Sequence, residues 1–124
     1  MNNADFSHVL IVDDNQDASE ALALLIETEG FTTATARTLR EARERLLAQK
    51  PRVMLLDINL PDGNGLSLLA EVKNDVKTAD IHVVMLSGFV DDRLKEEAHL
   101  LGAAAFLLKP FEHVQLMALL DSAR

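Results

Sequence analysis

Val53-Met54-Leu55-Leu56-Asp57-Ile58-Asn59-Leu60-Pro61-Asp62-Gly63 is the stretch whose reading decides the fold of this 124-residue chain. Four apolar residues run straight into a carboxylate, and Pro61, Asp62 and Gly63 then break the chain. A short apolar run bounded by turn signals suits a strand buried on both faces, as in a parallel sheet. Such a strand has no use for a charge, because desolvating a carboxylate is costly. Asp57 therefore belongs at the carboxyl end of its strand, on the rim where open α/β sheets place ligands. Asp62 and Gly63 look like turn chemistry, and Asp62, Gly63 and Gly65 read as structural.

Outward from this strand the same pattern repeats. His8-Val9-Leu10-Ile11-Val12 is a strand that ends in Asp13-Asp14. Asn15 and Asp17 suit a helix start, Ala18, Ala21, Leu22, Leu25 and Ile26 follow at helical spacing, and Gly30 closes that helix. Residues 31–36, rich in threonine, read as a second strand. Thr38 and Glu41 have the spacing of a capping box and open a helix that ends near Lys50-Pro51. After the Asp57 strand, a helix spans about residues 64–74. A fourth strand over 81–86 reaches Ser87, and a helix over 91–101 is stopped by Gly102. A fifth strand over 104–108 leads to Lys109-Pro110, and a last helix covers 112–122. Strands alternating with helices predict an α/β fold: a five-stranded parallel sheet, doubly wound, with helices on both faces. No linker or repeat divides residues 1–124, which read as one domain.

Composition narrows the chemistry. Hydrophobic residues make up 48% and aromatics 4%, so the core is aliphatic. The absence of cysteine excludes disulfides, thiol catalysis and cysteine–metal sites. A formal net charge of -8 argues against direct binding to nucleic acid or anionic membrane and is compatible with a cation site and basic partners. No apolar run reaches membrane-span length, and residues 1–7 carry no signal pattern. A cytoplasmic, soluble protein is the expectation.

Polar residues collect where the strands end: Asp13 and Asp14, Asp57, Ser87 and Lys109. If the strand order is 2-1-3-4-5, the switch point falls between Asp13/Asp14 and Asp57. Three adjacent carboxylates repel, so carboxyl pKa values rise or a cation binds. Hard oxygen donors suit Mg2+, which keeps several waters. A lysine and a hydroxyl beside a metal-bound carboxylate make a place for a phosphoryl group, and a carboxylate can itself be the nucleophile. The chemistry points to phosphoryl transfer onto an aspartate.

Asp13-Asp14, Leu56-Asp57, Leu60-Pro61-Asp62-Gly63, Ser87-Gly88 and Lys109-Pro110-Phe111 together resemble the receiver domain of two-component response regulators, similar to the single-domain chemotaxis-type regulators. The resemblance covers nearly the whole chain and implies a flavodoxin-like sheet in the order 2-1-3-4-5. It implies that Asp57 is the phosphoacceptor and that Asp14, Asp57 and the Asn59 backbone carbonyl hold Mg2+, with Asp13 acting through a water. Ser87 and Lys109 would engage phosphoryl oxygens, the Lys109–Pro110 bond would be cis, and Phe106 would take the switch position. Asn59 and Phe89 lie where the family tunes hydrolysis. Lys95 and His99 would lie on the output face of the fourth helix, fifth strand and fifth helix. The implied partners are a sensor histidine kinase or a histidine phosphotransfer domain, and a downstream protein or fused output domain. The domain would be a monomer or a phosphorylation-dependent dimer, and a signalling domain rather than an enzyme, although one that assists its own phosphorylation and dephosphorylation. Phe106 replaces a common tyrosine and offers no hydroxyl to a partner.

Taken singly, the motifs have plainer readings. Asp13 and Asp14 could be helix-starting residues, and Lys109 a solvated loop residue. His8, His82, His99 and His113 lack zinc-ligand spacing and read as structural or solvated. A phosphate-independent binding module would be expected to lose some of the five rim residues. A flavin carrier would want hydroxyls after the first strand and stacking aromatics, yet tryptophan and tyrosine are absent. A phosphatase of the aspartyl-nucleophile class would want Asp-x-Asp on the first strand.

Overall fold

A computed structural model describes residues 8–89 and 91–123. Residues 1–7, where no signal pattern is expected, lie outside the described residues, as do Val90 and Arg124. The chain alternates β1 (His8–Val12), α1 (Gln16–Glu27), β2 (Thr32–Ala36), α2 (Leu39–Ala48) and β3 (Val53–Asp57). Two-residue strands β4 (Asn59–Leu60) and β5 (Gly63–Asn64) follow, then α3 (Gly65–Asn74), β6 (His82–Ser87), α4 (Asp92–Leu100), β7 (Ala105–Leu108) and α5 (His113–Ser122). The main sheet is parallel, in the order β2-β1-β3-β6-β7. With β4 and β5 set aside this is the expected 2-1-3-4-5 order. The antiparallel pair β4–β5 is additional: the turn read at Pro61-Asp62-Gly63 closes a minimal hairpin, pairing Leu60 with Gly63 and Asn59 with Asn64.

The side-chain period of two splits each central strand between two apolar layers. Leu10, Val12, Met54 and Leu56 face a layer completed by Leu39 and Ala42 of α2, Leu68, Leu69 and Val72 of α3, and Ala98 of α4. Val9, Ile11, Val53 and Leu55 face the opposite layer, with Ala23 and Ile26 of α1 and Leu116 and Leu120 of α5. Burying one such aliphatic side chain contributes about 1.5–3 kcal/mol. Two-sided burial is why these strands are apolar without alternation. On α1, Ser19, Ala23 and Ile26 are buried, whereas Ala18, Ala21 and Leu25 of the expected apolar face are exposed.

Caps explain most differences of one residue between expected and observed ends. Asn15, Thr38, Asn64 and Asp91 each cap a helix with a side chain that accepts a backbone N–H. At α2, Thr38 accepts from Glu41 as the capping box requires, but the Glu41 carboxylate accepts from the Arg37 N–H at 2.9 Å, one residue further back.

The amino edge of the sheet, opposite the polar rim, is tied by backbone bonds from Arg52 to His8 and from His82 to Arg52. Lys73 Nζ donates to the carbonyls of Ala79 and Ile81 at 2.9 and 2.7 Å. Burial lowers the pKa of His82 below 6.5, Arg52 and Lys73 reinforce this, and Asp80 opposes it. Neutral His82 is therefore favoured in the fold. Its contribution is fully present above the unfolded value of 6.5 and is lost as pH falls through the depressed folded value. Urea denaturation midpoints measured across this range should fall with acidification, and His82→Gln should flatten that slope. An unchanged slope in the variant would show that His82 is not the group responsible.

Candidate functional site

The carboxyl ends of β1, β3, β6 and β7 converge on one edge of the sheet. Backbone bonds continue past the strands and fix that edge: Asp13 N–H donates to Ala36, Ile58 N–H to Leu86, and Lys109 N–H to Ser87. Asp13 is buried, with 7% of its side chain exposed; Asp57 is 13% exposed, and Asp14 is open to solvent. One oxygen from each of the three carboxylates lies within 4.8 Å of the others.

Lys109 Nζ reaches into this cluster and lies 2.9 Å from Asp13 Oδ2 and 2.9 Å from Asp57 Oδ2. The second Asp13 oxygen accepts the Asn15 N–H at 2.9 Å. Burial pushes the Asp57 carboxyl above its ordinary value, the Lys109 ammonium pulls it back, and Asp13 adds to the rise. Burial alone would weaken the Lys109 ammonium, but its hydrogen bonds to Asp13 and Asp57 outweigh that and raise its pKa. One ammonium thus serves two carboxylates, with Asp14 beside them, and the cluster keeps surplus negative charge. All donors are hard oxygens, so the residues fit a divalent cation.

Ser87 is buried at 1% exposure, and its hydroxyl is engaged with its own loop. Phe89 N–H donates to Ser87 Oγ at 3.0 Å, and Ser87 Oγ donates to the Phe89 carbonyl at 3.2 Å. The Phe89 side chain is 66% exposed. Phe106 is half-buried and packs on the α2–α3–α4 layer. Together with Lys95 and His99 it lines a small cavity between α4 and β7. The Lys109–Pro110 peptide is cis. Asn59 is exposed at the start of the β4–β5 hairpin, one residue past Ile58.

Gly65 shapes the pocket from behind. Its N–H donates to the Ile58 carbonyl at 2.6 Å, and a Cβ on it would lie 2.1 Å from the Asp57 carbonyl oxygen. A glycine at the first turn of α3 is thus the residue that lets this helix start against the Asp57 backbone. Asp62, read from sequence as a turn residue, has a second use. Its carboxylate accepts the N–H groups of Leu39 and Arg40 at 2.8 and 3.1 Å, at the start of α2. No local sequence signal reveals that contact, because the partners lie 23 and 22 residues away.

Residues 9–121 match the response regulator receiver domain family. The chain belongs to that family of phosphoacceptor signalling domains. It is 32% identical over 114 residues to the phosphate regulon transcriptional regulatory protein PhoB of Pseudomonas aeruginosa, covering 92% of this chain and 50% of that protein. The chain therefore spans about half the length of that curated relative. Among solved structures, the receiver domain of NtrX from Brucella abortus is 32% identical, with a TM-score of 0.84, covering 93% of this chain and 96% of that one. A response regulator from Burkholderia pseudomallei, solved with a phosphorylated aspartic acid, a calcium ion and citrate, is 27% identical, with a TM-score of 0.85. That match covers 92% of this chain and 66% of that one. Among the described residues, no helix is long and apolar enough to cross a membrane.

Gly65→Ala should destabilise the domain more than Gly30→Ala. At Gly30 the cost is that of φ +94° with open space around it, about 1 kcal/mol. At Gly65 the added carbon meets backbone, and forcing it in should cost roughly 1–3 kcal/mol. Urea denaturation of the two variants should give this order, and the reverse order would remove the steric account of the α3 start.

Proposed function

We propose that Asp57 accepts a phosphoryl group from a phosphohistidine of a sensor histidine kinase or a histidine phosphotransfer domain, and that this changes the surface made by α4, β7 and α5. The observation that carries this reading is the bridging of Asp13 and Asp57 by Lys109 within a cluster of three carboxylates at the switch point of the sheet. Asp14, Asp57 and the Asn59 carbonyl would hold Mg2+, with Asp13 acting through a water. The ion, when bound, neutralises oxygens of the transferring group.

In the transfer, an Asp57 carboxylate oxygen attacks phosphorus. A P–O bond forms as the P–N bond of the donor breaks, and the imidazole leaves with the electron pair and regains a proton. Lys109 gives up part of its present bonding to Asp13 and Asp57 to pair with a phosphoryl oxygen. Ser87 exchanges its bond to the Phe89 carbonyl for one to another phosphoryl oxygen. The loop over residues 88–92, of which Val90 lies outside the described residues, follows Ser87. Phe106 then turns inward, which shifts an existing equilibrium at the output surface. Water later attacks phosphorus, releasing inorganic phosphate and restoring the carboxylate. The domain assists both steps by position and charge, and in that limited sense acts on itself.

The donor has a surface suited to it. Ala18, Ala21, Leu22 and Leu25 of α1, with Pro110 and Phe111, line a depression of about 600 Å³ that reaches Asp13 and Lys109. Ala18, Ala21 and Leu25, which α1 leaves exposed, are thus adjacent to the pocket, where a helix of the donor would deliver its histidine. Away from this depression, Leu100 of α4, Leu108 of β7 and Val114 of α5 are exposed large apolar residues on the elements of the proposed output surface. They support a partner there: a downstream protein, an attached output domain, or a second phosphorylated copy. A donor that is charged inside the cell would put the domain in the cytoplasm. Residues 1–124 act as one receiver unit in this reading.

Incubation with acetyl phosphate, followed by intact mass spectrometry, tests the proposal. A single phosphoryl adduct is expected that requires Mg2+ and is absent from Asp57→Ala. No adduct, under conditions that label a working receiver, would leave a phosphate-independent binding module as the better reading.

A further inference from the structure

The hairpin that carries Asn59 is anchored on two sides. On one side, the Gly65 N–H meets the Ile58 carbonyl at 2.6 Å, and β4 pairs with β5. On the other, the Asp62 carboxylate leaves the hairpin and takes the first two amides of α2, Leu39 through Oδ1 at 2.8 Å and Arg40 through Oδ2 at 3.1 Å. Gly63 follows at φ +151°, and a Cβ there would lie 2.8 Å from Leu39 Cδ1, so the hairpin tip sits directly on the start of α2.

The amino end of α2 has another cap. Thr38 Oγ1 accepts the Glu41 N–H at 3.0 Å. Asp62 therefore adds to a helix start that is already capped. Asp62 is exposed, so the contact contributes geometry rather than burial. The Leu39 and Arg40 amides and the nearby Arg43 hold its carboxyl below the usual range, and it stays charged at neutral pH. Both oxygens of an ionised carboxylate on two adjacent amides make a directional clamp.

We propose that Asp62 is a positioning residue for the cation site: by fixing the hairpin tip to α2 it holds the Asn59 carbonyl in place for the metal. This rests on the reading of Asn59 as a ligand. Asp62 touches neither the metal nor the phosphoryl group, and acts through the hairpin. Linkage makes the effect reciprocal, so metal at the carboxylate cluster alters the environment of the α2 amides.

Binding of Mg2+ to the unphosphorylated protein is measured by calorimetry and by amide NMR, for the wild type, Asp62→Ala, Asp62→Asn and Thr38→Ala. Asp62→Ala should weaken Mg2+ about three- to tenfold, below the full range seen when groups bonded directly to metal ligands are removed. Asp62→Asn keeps one acceptor oxygen and should fall between the two. Thr38→Ala loosens α2 without touching the hairpin and should leave the affinity within about twofold, since it removes no bond to the Asn59 loop. In the wild type the Leu39 and Arg40 amides should shift with the same midpoint as Asn59, and in Asp62→Ala that response should vanish. At saturating Mg2+, Asp62→Ala should be labelled by acetyl phosphate at the wild-type rate.

Unchanged affinity in Asp62→Ala overturns the proposal, as does an equal loss in Thr38→Ala, which would mean only a loosened helix. Should Asp62→Ala not fold, Asp62→Asn decides on the same measurements. Wild type that binds Mg2+ yet is not phosphorylated removes the phosphoacceptor reading, while the affinity ratios still judge Asp62. Wild type that binds no Mg2+ removes the positioning role.

Discussion

One ammonium held between two carboxylates, Lys109 between Asp13 and Asp57 at 2.9 Å each, governs the polar rim of this domain. The two carboxylates are mostly withdrawn from water, and such charges persist only where a partner compensates them. The bridge joins the ends of β1 and β3 to the segment after β7, strands that are far apart in sequence. It also leaves the account of charge open. Two carboxylates on one ammonium, with Asp14 adjacent, retain negative charge that the protein itself does not neutralise. A divalent cation would restore that balance and offset the further negative charge that a phosphoryl group brings, so the surplus is what makes the site receptive to a metal.

The two sides of the pocket differ in how firmly they are held. Asp13 is fixed by its backbone bond to Ala36 and by the Asn15 N–H on its carboxylate, and Asp57 is backed by Gly65. Among the described residues, the hydroxyl of Ser87 is held only by its own loop. It exchanges bonds with Phe89, two residues away, and a charged phosphoryl oxygen would offer a somewhat stronger acceptor. Swapping one hydrogen bond for another changes the free energy by only about 1 kcal/mol, the scale on which a small signal can shift a two-state element. A rigid acceptor side and a nearly balanced donor side suit a switch better than uniform rigidity would.

The sheet was legible because burial on both faces leaves an unmistakable apolar run in β1, β3 and β6, and because each run stops at a polar residue. The rim residues were legible for the same reason, since a charge at the end of such a strand has nowhere else to go. What the sequence concealed was what each group touches. The spacing of Ala18, Ala21 and Leu25 marked them as one face of α1, but periodicity does not say what covers a face, and these three stay exposed. Ser87 gave no sign that its hydroxyl is turned to Phe89. Asp62 looked complete as a turn residue, and its long-range bond to α2 emerges only when the hairpin is folded against that helix. The fit of Gly65 against Asp57 likewise depends on a three-dimensional approach that no pattern of neighbours encodes.

The two apolar layers also separate the tasks of the domain. α1 belongs to the layer that includes Ile26 and Leu116, and its outer residues Ala18, Ala21 and Leu25 border the depression that reaches Asp13 and Lys109. Phe106 packs on the other layer, with Leu94, Leu101 and Ala103, and the same layer contains Leu39 at the start of α2. Successive residues of β7 point to opposite faces, so Phe106 and Leu107 report to different layers. A movement of Phe106 would therefore act on the layer that holds α4, and need not disturb the layer to which α1 belongs. The layer of α2 is joined through Asp62 to the hairpin that follows Asp57, and Phe106 packs on the same layer. Close-packed layers respond by moving between discrete arrangements rather than by yielding gradually. In the proposed switch, a layer that is tied to the hairpin and also carries Phe106 would be where a change at Asp57 becomes a change of surface.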